Sequence, residues 1–186
     1  MSRFFISDSH FSHTNIIKYC NRPFSDSAGN LDSHYMNRVM TDNWNAVVKP
    51  EDTVFHMGDF SMGQPGKYRE KLNGKIILIK GNHDKLSQCV GHFDEIHDTL
   101  EIEIAGHKVL LCHYYYKDML DQNGFDNKHK DRMPSYDPSQ ILIHGHCHNS
   151  KPHINEKHKA INVSAEWLNY TPMSEDKVIE IINQFK

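Results

Sequence analysis

The sequence is short of cysteine: Cys20, Cys89, Cys112 and Cys147 are its four, widely spaced and without a Cys-x-x-Cys pair. That spacing excludes a disulfide framework and a thiolate zinc knuckle and leaves reduced thiols. Also missing is any apolar run near the roughly 20 residues that a membrane helix needs, and residues 1–8 carry too little apolar character for a signal peptide. A cytoplasmic protein with no membrane partner is therefore expected. There is no excess of positive charge either. The formal net charge is -3 with histidine neutral, so no overall basic field draws the chain to nucleic acid or an anionic surface. Repeats, low-complexity tracts and linkers are lacking as well, so residues 1–186 are expected to form one domain. A chain of this size buries roughly 70% of its extended surface. Nothing in the sequence sets an oligomeric state.

What is present is a packable composition, 38% hydrophobic and 24% charged, with an unusual number of histidines, 15. Histidine is the commonest neutral metal ligand and the usual proton carrier near pH 7. Short apolar, β-rich runs recur at residues 4–7, 53–57, 76–80, 109–112 and 141–144, each reading as a buried strand. Helical character at residues 32–47 and 66–72 alternates with them in βαβ fashion. Over residues 99–104, Leu100, Ile102 and Ile104 alternate with polar residues, and Ala105-Gly106 turns that half-exposed strand into the next as an antiparallel pair. The tail reads as a helix capped by Ser174, with Glu175 and Asp176 at its positive end and an apolar stripe of Val178, Ile179, Ile181, Ile182 and Phe185. Residues 117–139 read as a loop or short-helix excursion.

Five times an apolar strand ends in ligand-type residues: Asp8-Ser-His10, Gly58-Asp59, Gly81-Asn82-His83-Asp84, His113, and Gly145-His146-Cys-His148. The carboxyl ends of neighbouring strands share a crevice, so these clusters are expected to converge at one sheet edge. Asp8 with His10, and His146 with His148, are two residues apart. On an extended backbone such pairs point the same way, a spacing suited to chelation. Glycine before Asp59, Asn82 and His146 permits turns and close approach. Asp8, His10, Asp59, Asn82, His113, His146 and His148 make more donors than one cation needs. Two cations roughly 3.5 to 4 Å apart would use them, the arrangement that clamps an in-line displacement at phosphorus.

Those blocks, in that order, resemble the calcineurin-like metallophosphoesterases. The match spans most of the chain, and the joint pattern is far more specific than any one block. The run Asn15-Ile-Ile-Lys-Tyr-Cys-Asn-Arg22-Pro-Phe resembles the small bacterial and phage members. The resemblance implies an α/β fold of two packed mixed sheets flanked by helices, a four-layer sandwich. It implies that Asp8, His10 and His148 hold one metal, that Asn82, His113 and His146 hold the other, that Asp59 bridges them, and that His83 is catalytic without being a ligand. Phe60 and Ser61 follow Asp59 where the large protein phosphatases carry Asp-Arg-Gly, which argues against phosphoprotein substrates. The chain also lacks room for the capping domain of large nuclease relatives.

The function expected is hydrolysis of a phosphomonoester or phosphodiester, with a small molecule or nucleotide as substrate. Two dications bring a bridging water from a pKa of about 15.7 to near neutrality, giving a hydroxide for in-line attack, while His83 serves the leaving oxygen. The nitrogen and oxygen donors fit manganese, iron, zinc or nickel better than calcium or magnesium, with manganese the working choice from the resemblance. Competing readings are a non-catalytic metal-binding scaffold for protein interactions, as in the superfamily's retromer subunit, and a structure-selective nuclease, which the acidic balance disfavours. Asp84 has two readings, an orienting partner for the His83 ring or the cap of a following helix or turn. Arg22 is either a phosphate clamp or a solvated turn residue. His13 and Asn15 line the pocket or form a turn, whereas His56 and His144 read as packed, hydrogen-bonded core. Tyr114, Tyr115 and Tyr116 read as core rather than as a stacking platform. Lys128, Lys130 and Arg132 read as a solvated face rather than a lid.

Overall fold

The computed structural model describes residues 1–120, 129–149 and 153–185. In it, two mixed five-stranded sheets are flanked by helices. The first sheet holds β1 (Arg3–Ile6), β2 (Thr53–His56), β3 (Lys75–Ile79) and β4 (Glu95–His97) in parallel, with β10 (Met173–Ser174) antiparallel on the outer side of β1. In the second, β5 (Thr99–Ile104) and β6 (His107–Cys112) form the expected hairpin. Next to it, β7 (Ile141–His144) and β9 (Ala160–Asn162) run parallel to β6, and β8 (Ile154–Asn155) closes the far edge.

The apolar runs are continuous because both faces of both sheets are covered, and the two-residue period of a strand sorts alternate residues between layers. From β1, Phe4 and Ile6 enter one core with Met36, Met40 and Trp44, while Phe5 enters a second core between the sheets. There Phe5 stacks on Phe55 with ring centres 5.4 Å apart and meets Val109, Leu111, Ile143 and Ile161 of the other sheet. The alternate residues Leu110, Cys112, Leu142 and Ala160 face the other way.

 Those residues, Ala160 among them, form a third core with Tyr114, Tyr115, Tyr116, Met119 and Met133 on the outer face of the second sheet.

Three helices lie against the first sheet's outer core: α1 (Thr14–Tyr19), α2 (Ser33–Val47) and α3 (Gly66–Arg69), with α4 (Leu86–Cys89) beside them. Asp32 caps α2 by accepting from the Tyr35 N–H at 2.8 Å, and Met36, Met40 and Trp44 recur every four residues on its buried face. The fifth helix, α5 (Glu175–Ile182), is capped by Ser174 as expected and closes the core between the sheets with Val178, Ile181 and Ile182. Among the described residues the second sheet's outer face is covered by the tyrosine segment and two 3-10 turns, Lys117–Met119 and Lys130–Arg132. Residues 121–128, including Lys128, lie outside the described residues. No described helix is long and apolar enough to cross a membrane.

The expected helix at residues 66–72 ends earlier, at Arg69. Four strands, β4, β8, β9 and β10, have no counterpart in the periodicity, each having only two or three residues. Such stretches are too short to display an alternation.

Candidate metal centre

Six strands of the two sheets deliver their carboxyl ends to one place. Asp8 and His10 follow β1, Asp59 follows β2, and Asn82 and His83 follow β3; His113 follows β6, His146 and His148 follow β7, and Ser164 and Glu166 follow β9. Two groups of strand-end ligand atoms result, each lying within 4.8 Å of one another: Asp8, His10 and His148, and Asp59, His113 and His146; a third set, Cys20, His148 and Glu166, shares His148 with the first. Each of the two strand-end groups takes residues from both sheets. Asp59 Oδ2 lies 3.6 Å from His10 Nε2 in one group and 3.6 Å from His113 Nε2 in the other. Asn82 Oδ1 joins the second group, 3.2 Å from His113 Nε2.

The expected extended backbone at the paired ligands is not what the chain adopts. Asp8, His10, Asp59, His146 and His148 all have positive φ, between 46° and 68°. They sit in left-handed turns, which Asp and His tolerate better than most residues but at a cost of roughly 1–2 kcal/mol each. The turns brace one another, since Asp8 N–H donates to Gly58 O at 2.9 Å and His10 N–H to Asp59 O at 3.0 Å. The glycines work by close approach. A Cβ at Gly81 would be driven into Asp59 Oδ1, and one at Gly145 into Ser7 Oγ and Asp8 Oδ2.

Hydrogen bonds leave the inward-facing atoms free. His113 Nδ1 donates to Met57 O at 2.6 Å and His148 Nδ1 to Glu166 Oε1 at 3.0 Å, so in the neutral form of each ring the lone pair is on Nε2, the nitrogen that faces the site. Asp8 Oδ2 accepts from His146 N–H and Ser164 Oγ, both at 2.9 Å. Its Oδ1, together with both ring nitrogens of His10, is buried with no partner. Unpartnered buried donors and acceptors are costly, and a cation is what this acceptor set suits. Burial, with the neighbouring His113, pushes the His146 imidazole down to about 3. Burial and the neighbouring His148 hold His10 well below the usual range. Both rings are therefore neutral, the form that ligates. Burial lifts the Asp59 carboxyl above its ordinary range, the mark of an anion short of positive charge. For His148 burial acts downward, but the Asp8 and Glu166 carboxylates outweigh it and hold the ring well above its ordinary range. A place that draws a proton so strongly draws a metal ion for the same electrostatic reason.

His83 belongs to neither group. Its side chain is 41% exposed and its Nε2 lies 3.9 Å from Asp59 Oδ2. Beside it, the His13 ring lies 5.3 Å from that of His10 and 6.4 Å from that of His83, so His13 reaches the site, whereas Asn15 is exposed on α1.

Several expectations change. Arg22 is neither solvated nor open to phosphate, because its side chain is fully buried. Its guanidinium donates to Glu166 Oε1, Asp8 O, Ser9 O and the Met36 sulfur, which occupies all five of its N–H groups. Arg22 clamps the loop that carries Asp8. Asp84 neither caps α4, whose cap position is Lys85, nor bonds the His83 ring. Its carboxylate accepts from Asp59 N–H at 2.7 Å, Gly81 N–H at 2.9 Å and Phe60 N–H at 3.1 Å, tying the second and third loops together. Arg132 is not on a solvated face: its guanidinium lies 4.9 Å over the Tyr114 ring. Lys130 is exposed. The three tyrosines are buried. His56 and His144 are buried and hydrogen-bonded, His56 to Ser9 Oγ at 2.8 Å and His144 to Gly145 O at 3.0 Å.

Glu166 and Ser164 have no counterpart in the sequence reading. Their signal is the one used elsewhere, an apolar run ending in polar residues, but β9 has only three residues and the run was too short to register.

The chain belongs to the calcineurin-like phosphoesterase superfamily: residues 1–165 match that superfamily's domain. It is 38% identical to an uncharacterized protein of Methanocaldococcus jannaschii, over 98% of this chain and 92% of that one. It is 26% identical to the Gene 66 protein of Mycobacterium phage L5, over 96% of this chain and 93% of that one. The crystal structure of a protein of unknown function from Aquifex aeolicus superposes with a TM-score of 0.72 at 30% identity, covering 97% of this chain and 98% of that one.

Proposed function

We propose that the protein is a metal-dependent phosphoric ester hydrolase, acting on a phosphomonoester or phosphodiester of a small molecule or nucleotide with two divalent cations, manganese foremost. Asp8, His10 and His148 would hold one ion and Asn82, His113 and His146 the other, with the Asp59 carboxylate available to both. The observation that carries this reading is the position of Asp59 Oδ2, equally distant at 3.6 Å from a histidine of each ligand group. When bound, such a pair supplies Lewis acidity and an activated water for attack at phosphorus.

The chain's own residues do the rest. His83 is exposed enough to meet substrate and lies within reach of the bridging carboxylate, so its Nε2 donates the proton to the leaving oxygen. Asp84 is a positioning residue, holding the Asp59, Phe60 and Gly81 backbones through three hydrogen bonds. Asp59 Oδ1 accepts from the His83 N–H at 2.8 Å, which sets the acid beside the bridge. The net charge of -3 disfavours long nucleic acid as substrate, and the buried free cysteines suit the reducing cytoplasm.

The test is a manganese-supplemented screen of p-nitrophenyl phosphate, bis-p-nitrophenyl phosphate, cyclic nucleotides and single-stranded DNA. His83→Ala is expected to lower turnover by about 10²–10⁴ while binding the same amount of manganese. Equal activity in both proteins removes His83 from the mechanism. Wild-type protein that hydrolyses none of these esters with manganese or zinc overturns the hydrolase reading.

A further inference from the structure

The two ligand groups are not alike in what stands behind their histidines. His113 donates from Nδ1 to a neutral acceptor, Met57 O, at 2.6 Å, and His10 Nδ1 has no partner at all. His148 donates to a carboxylate, Glu166 Oε1, at 3.0 Å. An imidazole backed by an anion is a stronger donor through its other nitrogen than one backed by a carbonyl, and its ring is held more firmly.

Glu166 is itself fixed. Its side chain is only 6% exposed, and the same Oε1 that accepts the His148 Nδ1–H also accepts from Arg22 Nε at 2.9 Å and Nη2 at 2.7 Å. Arg22 Nη2 in turn donates to Asp8 O at 2.7 Å. One buried guanidinium thus holds two of the three residues of the Asp8, His10 and His148 group, Asp8 through its backbone and His148 through Glu166. The group around His113 and His146 has no equivalent among the described residues. It also takes a neutral amide, Asn82, where the first takes the Asp8 carboxylate. Residue 166 lies just past the part of the chain that matches the superfamily domain, which ends at 165.

We infer that Glu166 is a positioning residue for the metal centre and that, through His148, it makes the Asp8, His10 and His148 half the first to take up an ion. This rests on the dinuclear reading above. The centre therefore fills in order, with the second half loading only at higher metal concentration, and activity that needs both ions follows the weaker half.

Manganese titration of metal-free protein by isothermal calorimetry, with anomalous diffraction from crystals grown at one equivalent of manganese, tests this. Two affinity classes are expected in the wild type, with anomalous density concentrated at Asp8, His10 and His148. Glu166→Gln keeps the acceptor but removes its charge. It is expected to weaken the tighter class about 10- to 100-fold, to leave the weaker class in place, and to even out the density. A merely structural role would move both classes together or neither. Should Glu166→Gln unfold because Arg22 is left as a lone buried charge, Arg22→Met/Glu166→Gln removes both charges and is read instead. One class of two equal sites in the wild type, density concentrated at the other half, or unchanged affinities in the variant overturns the inference. A wild type that binds no manganese overturns the dinuclear reading itself, a separate result.

Discussion

A methyl group added at Gly81 would be driven into Asp59 Oδ1, the oxygen that accepts the His83 N–H. Both sides of this contact are pinned, since the Gly81 and Asp59 N–H groups share Asp84 Oδ2. Relief by a small shift is therefore blocked, and the Asp59 side chain must move. Gly81→Ala is expected to fold yet lose at least tenfold in manganese affinity, measured by calorimetry; unchanged affinity would show that the third loop yields after all. Arg22 shows what a residue-by-residue reading of sequence misses. Arginine after asparagine and before proline looks like a surface turn, but its partner Glu166 lies 144 residues further along the chain. No local signal can announce a charge pair that only the fold assembles.

At the scale of the element, the apolar runs and strand-end clusters were legible because parallel strands buried on both faces leave uninterrupted hydrophobic stretches. The alternation that marked the β5–β6 hairpin was equally legible, because its outer residues Glu101 and Glu103 meet solvent. What was not legible was local backbone shape. Aspartate and histidine two apart read as a strand, whereas they occupy left-handed turns that hydrogen bonds from neighbouring loops impose. The hairpin turn offers a clean check. Ala105 has φ 50° and Gly106 φ 79°, a pair of positive values that favours Asn-Gly over Ala-Gly. Ala105→Asn is expected to stabilise the protein by about 0.5–1 kcal/mol, read as a higher urea midpoint at unchanged slope. A lower midpoint would mean that the turn does not set the hairpin's stability.

For the whole molecule, burial of imidazoles makes stability depend on pH. Burial pushes His56 and His144 down to about 4, against about 6.5 in an unfolded chain. Between these values the unfolded state binds more protons, so stability rises with pH through that window and is lost on acidification from 6.5 towards 4. Each such histidine costs up to about 1.4 kcal/mol per pH unit there. His56→Gln keeps a polar partner for Ser9 and is expected to flatten part of that slope in urea unfolding at pH 5 and pH 7. An identical slope would remove His56 as a source.

Cation binding acts at the same scale. Each ion at a hundredfold excess over its dissociation constant adds about 2.7 kcal/mol, so manganese is expected to raise the melting temperature and a chelator to reverse the rise. A melting temperature that ignores both would count against any cation held in the folded state.

Because each candidate ligand group draws on both sheets, the separation between the sheets is also the gauge of the candidate metal centre. The stacked rings of Phe5 and Phe55 and the aliphatic side chains opposite them serve as its spacer. A bulkier or slimmer spacer would pry apart or pinch the gap between Asp59 and His113 without touching either residue, so changes of catalytic power in this protein can begin in its oiliest and most remote layer.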